Sequence, residues 1–384
     1  MFDITLGIIT RNFYTIDPVD KFLDNAEKNG HKVNNLVITY SEECDFALVK
    51  ELDKRVRTFA IKTSDDDLKQ QLIHRGMDKE DVDTLLRCPM YKNQKIVPYG
   101  KNRNHTVIQS MLINSDVLFF VDTDVYPWVL VENGKKNFKE IDFFGSHIKY
   151  LSDPEVKIST SDYSGYFIIP PMDFEKMDNF FFGLQKENVY DFVRNYREHD
   201  CLFFDSYENR RPFETNKILG GNLGIKLDVF KEIEPFYSNC FDFGDNCYLT
   251  RGEDTVLGLK IQSHERFKAM DIDMRIFHNT FGNYPDIPDI RGNEAIVNRF
   301  YFACVGWLGR NPFLNWIKGE DLKMLEEYQY ENLLKSSFEA SRYFNDDRFL
   351  DLPEILRHTY DNVGVMIRDY YKFKESWFKL MNKL

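Results

Sequence analysis

The chain has 384 residues, 43% hydrophobic and 29% charged, with a formal net charge of -12 at pH 7. Those proportions fit a globular protein with one large core or two ordinary ones, and the negative charge argues against a dedicated nucleic-acid binder, whose phosphate partners need basic surface. The six cysteines (Cys44, Cys88, Cys201, Cys240, Cys247, Cys304) form no C-x-x-C pair, no run of about 18 apolar residues spans a membrane, and residues 1–30 hold no signal-like apolar segment. A cytoplasmic protein with free thiols is expected, with a peripheral position at the inner membrane face as a variant.

In chain order, Ile4 to Thr10 reads as a first strand ending in Arg11-Asn12. Val19, Phe22, Leu23 and Ala26 fall at helical spacing within 18–30, closed by Asn29-Gly30. Asn35 to Tyr40 is a second strand and Val56 to Ile61 a third, so the chain opens as a βαβ unit. Residues 64–95 read as an inserted helical excursion on the surface, with Asp65-Asp66-Asp67 as a solvated helix start. Residues 96–104 read as a polar loop and His105 to Ile113 as a helix. Val117 to Val121, five apolar residues in a row, reads as a strand buried on both faces, with Asp122-Thr123-Asp124 at its carboxyl end.

Ile141 to Ile148 is a further strand candidate, and Tyr163 to Ile169 is extended up to Pro170-Pro171. Residues 172–212 are rich in Phe, Tyr and charge and take no clear order. Lys217 to Lys226 reads as a strand interrupted by Gly220-Gly221, the mark of a bulge or a ligand close to the backbone. Arg251-Gly252-Glu253-Asp254-Thr255 opens a helix through Ile261, with Asp254 and Thr255 as capping types. Phe267 to Phe277 alternates as a strand and ends at His278. From about 290 the pattern is helical. Its clearest stripe is Leu356, Tyr360, Val363, Met366, Tyr370, Phe373 and Trp377, a packing face that could cover a binding cleft, pair two copies as a homodimer, or dock on a membrane surface.

Open α/β sheets place ligands at the carboxyl ends of their strands, and residues two apart on an extended chain point the same way. Asp122 and Asp124 could therefore share one divalent cation, with a turn or helix cap as the plain alternative. A strand ending in D-x-D, a glycine-paired strand, a G-E-D helix start and a strand-terminal His follow in that order. Together they resemble the GT-A class of nucleotide-sugar-dependent glycosyltransferases over about residues 1–285. The run from Arg103-Asn104 to Asp122-Thr123-Asp124 resembles family 2 enzymes. Gly220-Gly221-Asn222, Phe230, Pro235-Phe236 and Gly252-Glu253-Asp254 resemble the acceptor block of beta-galactosyltransferases and chondroitin-polymerase-like enzymes.

The resemblance implies an α/β, Rossmann-like fold, a mixed and mostly parallel sheet flanked by helices, with a helical region at 286–384. It implies sugar transfer from a UDP-sugar, or a GDP-sugar, to a hydroxyl of a saccharide, lipid-linked or protein acceptor, with inversion. Mn or Mg would be held by Asp122, Asp124 and His278. Thr10, Asn12, Arg103, Asn104, Asp122, Gly220, Gly221 and Asn222 would contact the donor. Asp254 would be the base, and Glu253 would hold the acceptor or orient that base. The Q-x-x-R-W signature of processive synthases is missing, and Tyr248-Leu249-Thr250-Arg251 stands where G-W-G is common, which leaves acceptor preference open. Retaining GT-A enzymes can carry similar motifs.

Two rivals belong to other classes. In a haloacid-dehalogenase-type phosphatase Asp122 would be the nucleophile and Asp124 the general acid, with Phe243-Gly244-Asp245-Asn246 imitating the later acidic motif. A non-catalytic carbohydrate- or protein-binding module would keep the scaffold without turnover.

Overall fold

The computed structural model describes residues 2–384 except 65, 89–96, 132–136, 167, 195–209 and 287. Its centre is a nine-stranded sheet. Eight strands lie side by side in the order Arg57–Lys62, Asn35–Cys44, Ile4–Phe13, Val117–Val121, Asn222–Lys226, Val156–Gly165, Lys268–His278 and Val125–Tyr126, and Phe213–Glu214 pairs on Lys268–His278. Asn222–Lys226, Val125–Tyr126 and Phe213–Glu214 run against the other six strands. This is the expected mixed, mostly parallel sheet flanked by helices, with a helical C-terminal region after it.

Val117–Val121 is buried at every residue because helices cover both faces. Leu118 and Phe120 join one core cluster, and Val117, Phe119 and Val121 join another, following the alternation of a strand. Phe119 packs edge-on against Phe143 and Phe144, which in turn meets Phe143 in a T-shaped contact. Much of the aromatic content is spent on such interlayer contacts.

Several elements differ from the sequence reading. Ile141 to Ile148 is not a strand: Phe143–Leu151 is a helix, started by Asp142, whose carboxylate accepts from the Gly145 N–H at 2.9 Å. Its buried Phe143, Phe144, His147 and Leu151 recur at helical spacing, which an apolar run alone does not distinguish from a strand. The helix expected from His105 begins at Tyr99, so Asn102, Arg103 and Asn104 stand on its first turns rather than in a loop. Asn222–Lys226 is a strand only after the paired glycines, and the strand read from Tyr163 begins earlier, at Val156.

Of the expected surface excursion, the helices Asp67–His74 and Lys79–Leu86 exist, but Leu68, Leu72, Val82, Leu85 and Leu86 belong to the core. Asp65 and residues 89–95 of that excursion lie outside the described residues, as does Cys201. Residues 172–212 contribute the helices Met177–Gly183 and Glu187–Arg194.

Four helices close the chain: Glu294–Ile317, Leu322–Phe344, Leu352–Asp361 and Val363–Met381. The apolar stripe is divided between the last two, and Leu356, Tyr360, Met366, Tyr370, Phe373 and Trp377 are all buried within the chain. Trp377 is fully buried and donates from Nε1 to the Phe230 carbonyl at 2.8 Å, and Ser376 donates to Asp81 at 2.8 Å. The stripe offered as a dimer face is thus covered by the chain's own sheet and helices. Among the described residues no helix is long and apolar enough to cross a membrane.

Trp377 links the last helix to the segment that follows the glycine-paired strand. Trp377→Ala is expected to lower the unfolding free energy by about 3–5 kcal/mol, the usual cost of emptying a buried aromatic site, read from urea denaturation. A loss below about 1 kcal/mol would mean that this helix is not packed on the core.

Candidate active site

Sheet register decides which side chains can meet. Ile8 pairs with Val121 in parallel, and Asn222 pairs with Val121 in the opposite sense. Asp122, the end of the first strand and the Gly220-Gly221 turn therefore leave the sheet at one edge. At the far side, His278 pairs with Val125 and with Gly165, and the Asn279 N–H donates to the Asp124 carbonyl at 2.8 Å. The D-x-D segment crosses this edge, where the carboxyl ends of the parallel strands gather.

Arg103 sits at the centre. Its guanidinium bonds Glu253, lies 4.0 Å from the Asp122 carboxylate, and is stacked near Tyr99 and Phe236. The Arg103 and Glu253 side chains are 4% and 5% exposed, so neither ion could be tolerated there without the other. Burial pushes the Glu253 carboxyl up, Arg103 opposes that, and the Asp254 charge adds to it. Asp122 is also raised, by burial first, with Arg103 opposing and Asp124 adding.

The paired glycines are required by close approach. A Cβ on Gly220 would fall 2.3 Å from Arg103 Nη2, and one on Gly221 would fall 2.1 Å from Asp122 Oδ2. The Gly220 N–H donates to Asp254 Oδ2 at 3.4 Å. One dipeptide thus touches Arg103, Asp122 and Asp254, joining the D-x-D end to the G-E-D helix. That helix, Glu253–Gln262, has Gly252 as its N-cap at φ 89°. Asp254 is not the cap expected from its residue type. It stands half-buried in the first turn, where the helix dipole favours a carboxylate.

Asp124 and His278 form the other pole. His278 Nε2 lies 3.5 Å from Asp124 Oδ2, and the ring stacks on Tyr163 with centroids 4.5 Å apart. Burial resists ionisation of Asp124, but the His278 ring and the Arg299 guanidinium outweigh it and hold the carboxyl low. Tyr163 is raised, by burial and then by the charges of Asp122 and Asp124. His278 Nδ1 is buried and has no hydrogen-bond partner among the described residues. Oxygen and nitrogen donors side by side, with an orphaned ring nitrogen, fit a divalent cation. No group of three or more His, Cys, Asp or Glu is set to hold a metal among the described residues, so a bound cation would complete its shell from outside these side chains.

Other expected donor contacts have their polar groups engaged within the fold. The Asn104 amide donates to the Phe236 carbonyl at 2.7 Å and accepts from its N–H at 3.1 Å. Asn222 is buried between His147 and Ser161. Asn12 accepts from the Glu43 N–H at 3.1 Å, and the Thr10 hydroxyl donates to the Asn12 carbonyl at 2.8 Å. Asp245 is exposed in the hairpin turn between Cys240–Phe243 and Asn246–Leu249, so it cannot supply a buried acidic motif of the phosphatase type.

Tyr163 escaped the sequence reading, as did Lys186, Arg299 and Arg310. Arg299 and Arg310 stand eleven residues apart on the Glu294–Ile317 helix, a spacing that repeats one helix face. Nothing in the sequence said that this face meets Gly252.

No protein-family model matches the chain, and no curated protein matches it. Solved structures similar to it include glucosyl-3-phosphoglycerate synthase from Mycobacterium tuberculosis in complex with Mn2+, uridine diphosphate and phosphoglyceric acid. That structure is 10% identical, matches 83% of this chain and 80% of its own, and has a TM-score of 0.41. The same synthase with Mn2+ and uridine-diphosphate-glucose is 9% identical over 83% of this chain and 80% of its own, at 0.40. A mycobacterial protein is 11% identical over 79% and 75%, at 0.37. Likeness of that size leaves the chemistry to be argued from this chain's own residues.

Arg103→Met is expected to cost about 3–5 kcal/mol at neutral pH, because Glu253 is left buried without its counter-charge. Without Arg103 the folded-state pKa of Glu253 stays above its unfolded value. The variant is therefore steadiest below the ordinary carboxylate range, about pH 4, and loses stability as pH rises through the raised value. Thermal unfolding of both proteins across pH 4–8 reads this; a pH-independent gap would mean that Glu253 has another partner.

Proposed function

We propose that the chain is a metal-dependent GT-A glycosyltransferase that moves a sugar from a nucleoside-diphosphate donor, UDP first and GDP second, to an acceptor hydroxyl with inversion. The observation that carries this reading is the joint approach of Asp122 and Asp254 to the Gly220-Gly221 turn, with Arg103 between Asp122 and Glu253. An acid for the leaving side and an acid for the attacking side then border one cleft.

Asp124 and His278, with Asp122 beside them, would hold Mn or Mg, and the bound cation would offset the charge that grows on the departing diphosphate. The remaining work falls to the chain. Asp254 takes the proton from the acceptor hydroxyl, its Oδ2 held by the Gly220 N–H and its charge favoured by the helix start. Glu253 is spent on Arg103 and orients that helix turn instead of touching substrate. The Gly220-Gly221 backbone lines the sugar site, where a Cβ would strike Arg103 or Asp122.

Asp124→Ala is expected to abolish metal-dependent UDP binding, measured by calorimetry with Mn. Asp254→Asn should keep that binding and cut transfer or donor turnover by about 10² to 10⁴, the range for a lost general base. Loss of UDP binding in Asp254→Asn would place that acid on the donor side and defeat the assignment.

A further inference from the structure

Cations of the C-terminal helical region and the Lys186 loop stand near Asp254. Arg310 reaches from the Glu294–Ile317 helix to the start of the Glu253–Gln262 helix, so close that a Cβ on Gly252 would meet its Nη1 at 2.5 Å. Arg310 is 7% exposed, its Nε has no hydrogen-bond partner among the described residues, and its contact to Asn311 Oδ1 is a long 3.3 Å. Arg251 is half-buried, packed on Gly306 of the same helix and near the Tyr99 ring at 5.6 Å. Lys186 is half-buried over the Trp307 ring at 4.9 Å. Arg310 and Lys186 both feel the Asp254 charge, and Lys186 also feels Arg310, so the group is compact.

Among the described residues no carboxylate comes within ion-pair distance of Arg310, Arg251 or Lys186, while Arg103 is already engaged with Glu253. Asp254, the nearest acid, is occupied by the Gly220 and Thr255 N–H groups. Arg310 and Lys186 thus share the Asp254 charge in a partly desolvated wall. Burial drives Arg310 down to about 10, and burial with the Arg310 charge drives Lys186 down to about 7.

We propose that the acceptor carries an anionic group, a phosphate or a carboxylate, which Arg310 and Lys186 bind so that its hydroxyl is presented to Asp254. This rests on the glycosyltransferase reading above and adds the chemical class of the acceptor to it. The anion supplies the missing counter-charge, and guanidinium and ammonium donors suit such groups.

The test uses the full chain loaded with saturating UDP and Mn, so that the donor phosphate site is filled, and titrates inorganic phosphate and acetate separately by calorimetry. Binding of either anion is expected, phosphate alone marking a phosphorylated acceptor and acetate alone a carboxylated one. Arg310→Gln and Lys186→Gln should each weaken that binding about 10-fold, the value of one charge-assisted hydrogen bond. Lys186 lies on a loop at the rim, so its variant reports even if the buried Arg310→Gln fails to fold. The proposal is overturned if neither anion binds the loaded chain or if Lys186→Gln leaves the affinity unmoved. Failure of UDP and Mn to bind the wild-type chain, read before any anion is added, would instead bring down the glycosyltransferase reading.

Discussion

A guanidinium locked between two carboxylates organises this molecule. Arg103 is nearly sealed from solvent, so its charge must be met inside the protein, and Glu253 at one Nη and Asp122 near the other meet it. The first belongs to the Glu253–Gln262 helix and the second to the end of the central Val117–Val121 strand. Buried ion pairs add little net stability, but their geometry is demanding, and a wrong arrangement leaves an uncompensated charge. Here that demand binds three chain-distant segments into one wall. The Gly220-Gly221 turn fits against that wall because it has no side chains to collide with Arg103 or Asp122.

The charged groups around the sheet edge fall into two sets. Asp122, Asp124 and His278 form an oxygen- and nitrogen-rich pole of the kind that suits a cation. Near Asp254, Arg310 and Lys186 form the opposite pole.

The C-terminal helices are part of the site's construction and not only a cover. Glu294–Ile317 carries Arg310 to Gly252 and Trp307 to Lys186. Val363–Met381 packs into the same hydrophobic cluster as Ile9, Leu118 and Phe120 from the sheet. Packing of this density makes the last helices' positions depend on the sheet and the reverse.

The strand and helix patterns at the amino end, the buried Val117–Val121 strand and the strand ending at His278 were legible in the sequence. Alternation, helical periodicity and capping are local properties that need no neighbour to be recognised. The residue types at the cleft were legible too, as D-x-D, G-G, G-E-D and a terminal His in order. Phe143–Leu151 was not, because a short apolar run serves either a strand or a buried helix, and Asp142 was not seen as the cap that starts it. The folded chain alone decided that Asn104 and Asn222 spend their amides on the scaffold while Arg103 faces the acids, and that the C-terminal stripe is covered from within. It also decided that Arg310 stands beside the start of the Glu253–Gln262 helix, far earlier in the chain. Each of these depends on which distant backbone comes close, a matter of sheet register and helix packing that no spacing within one segment encodes.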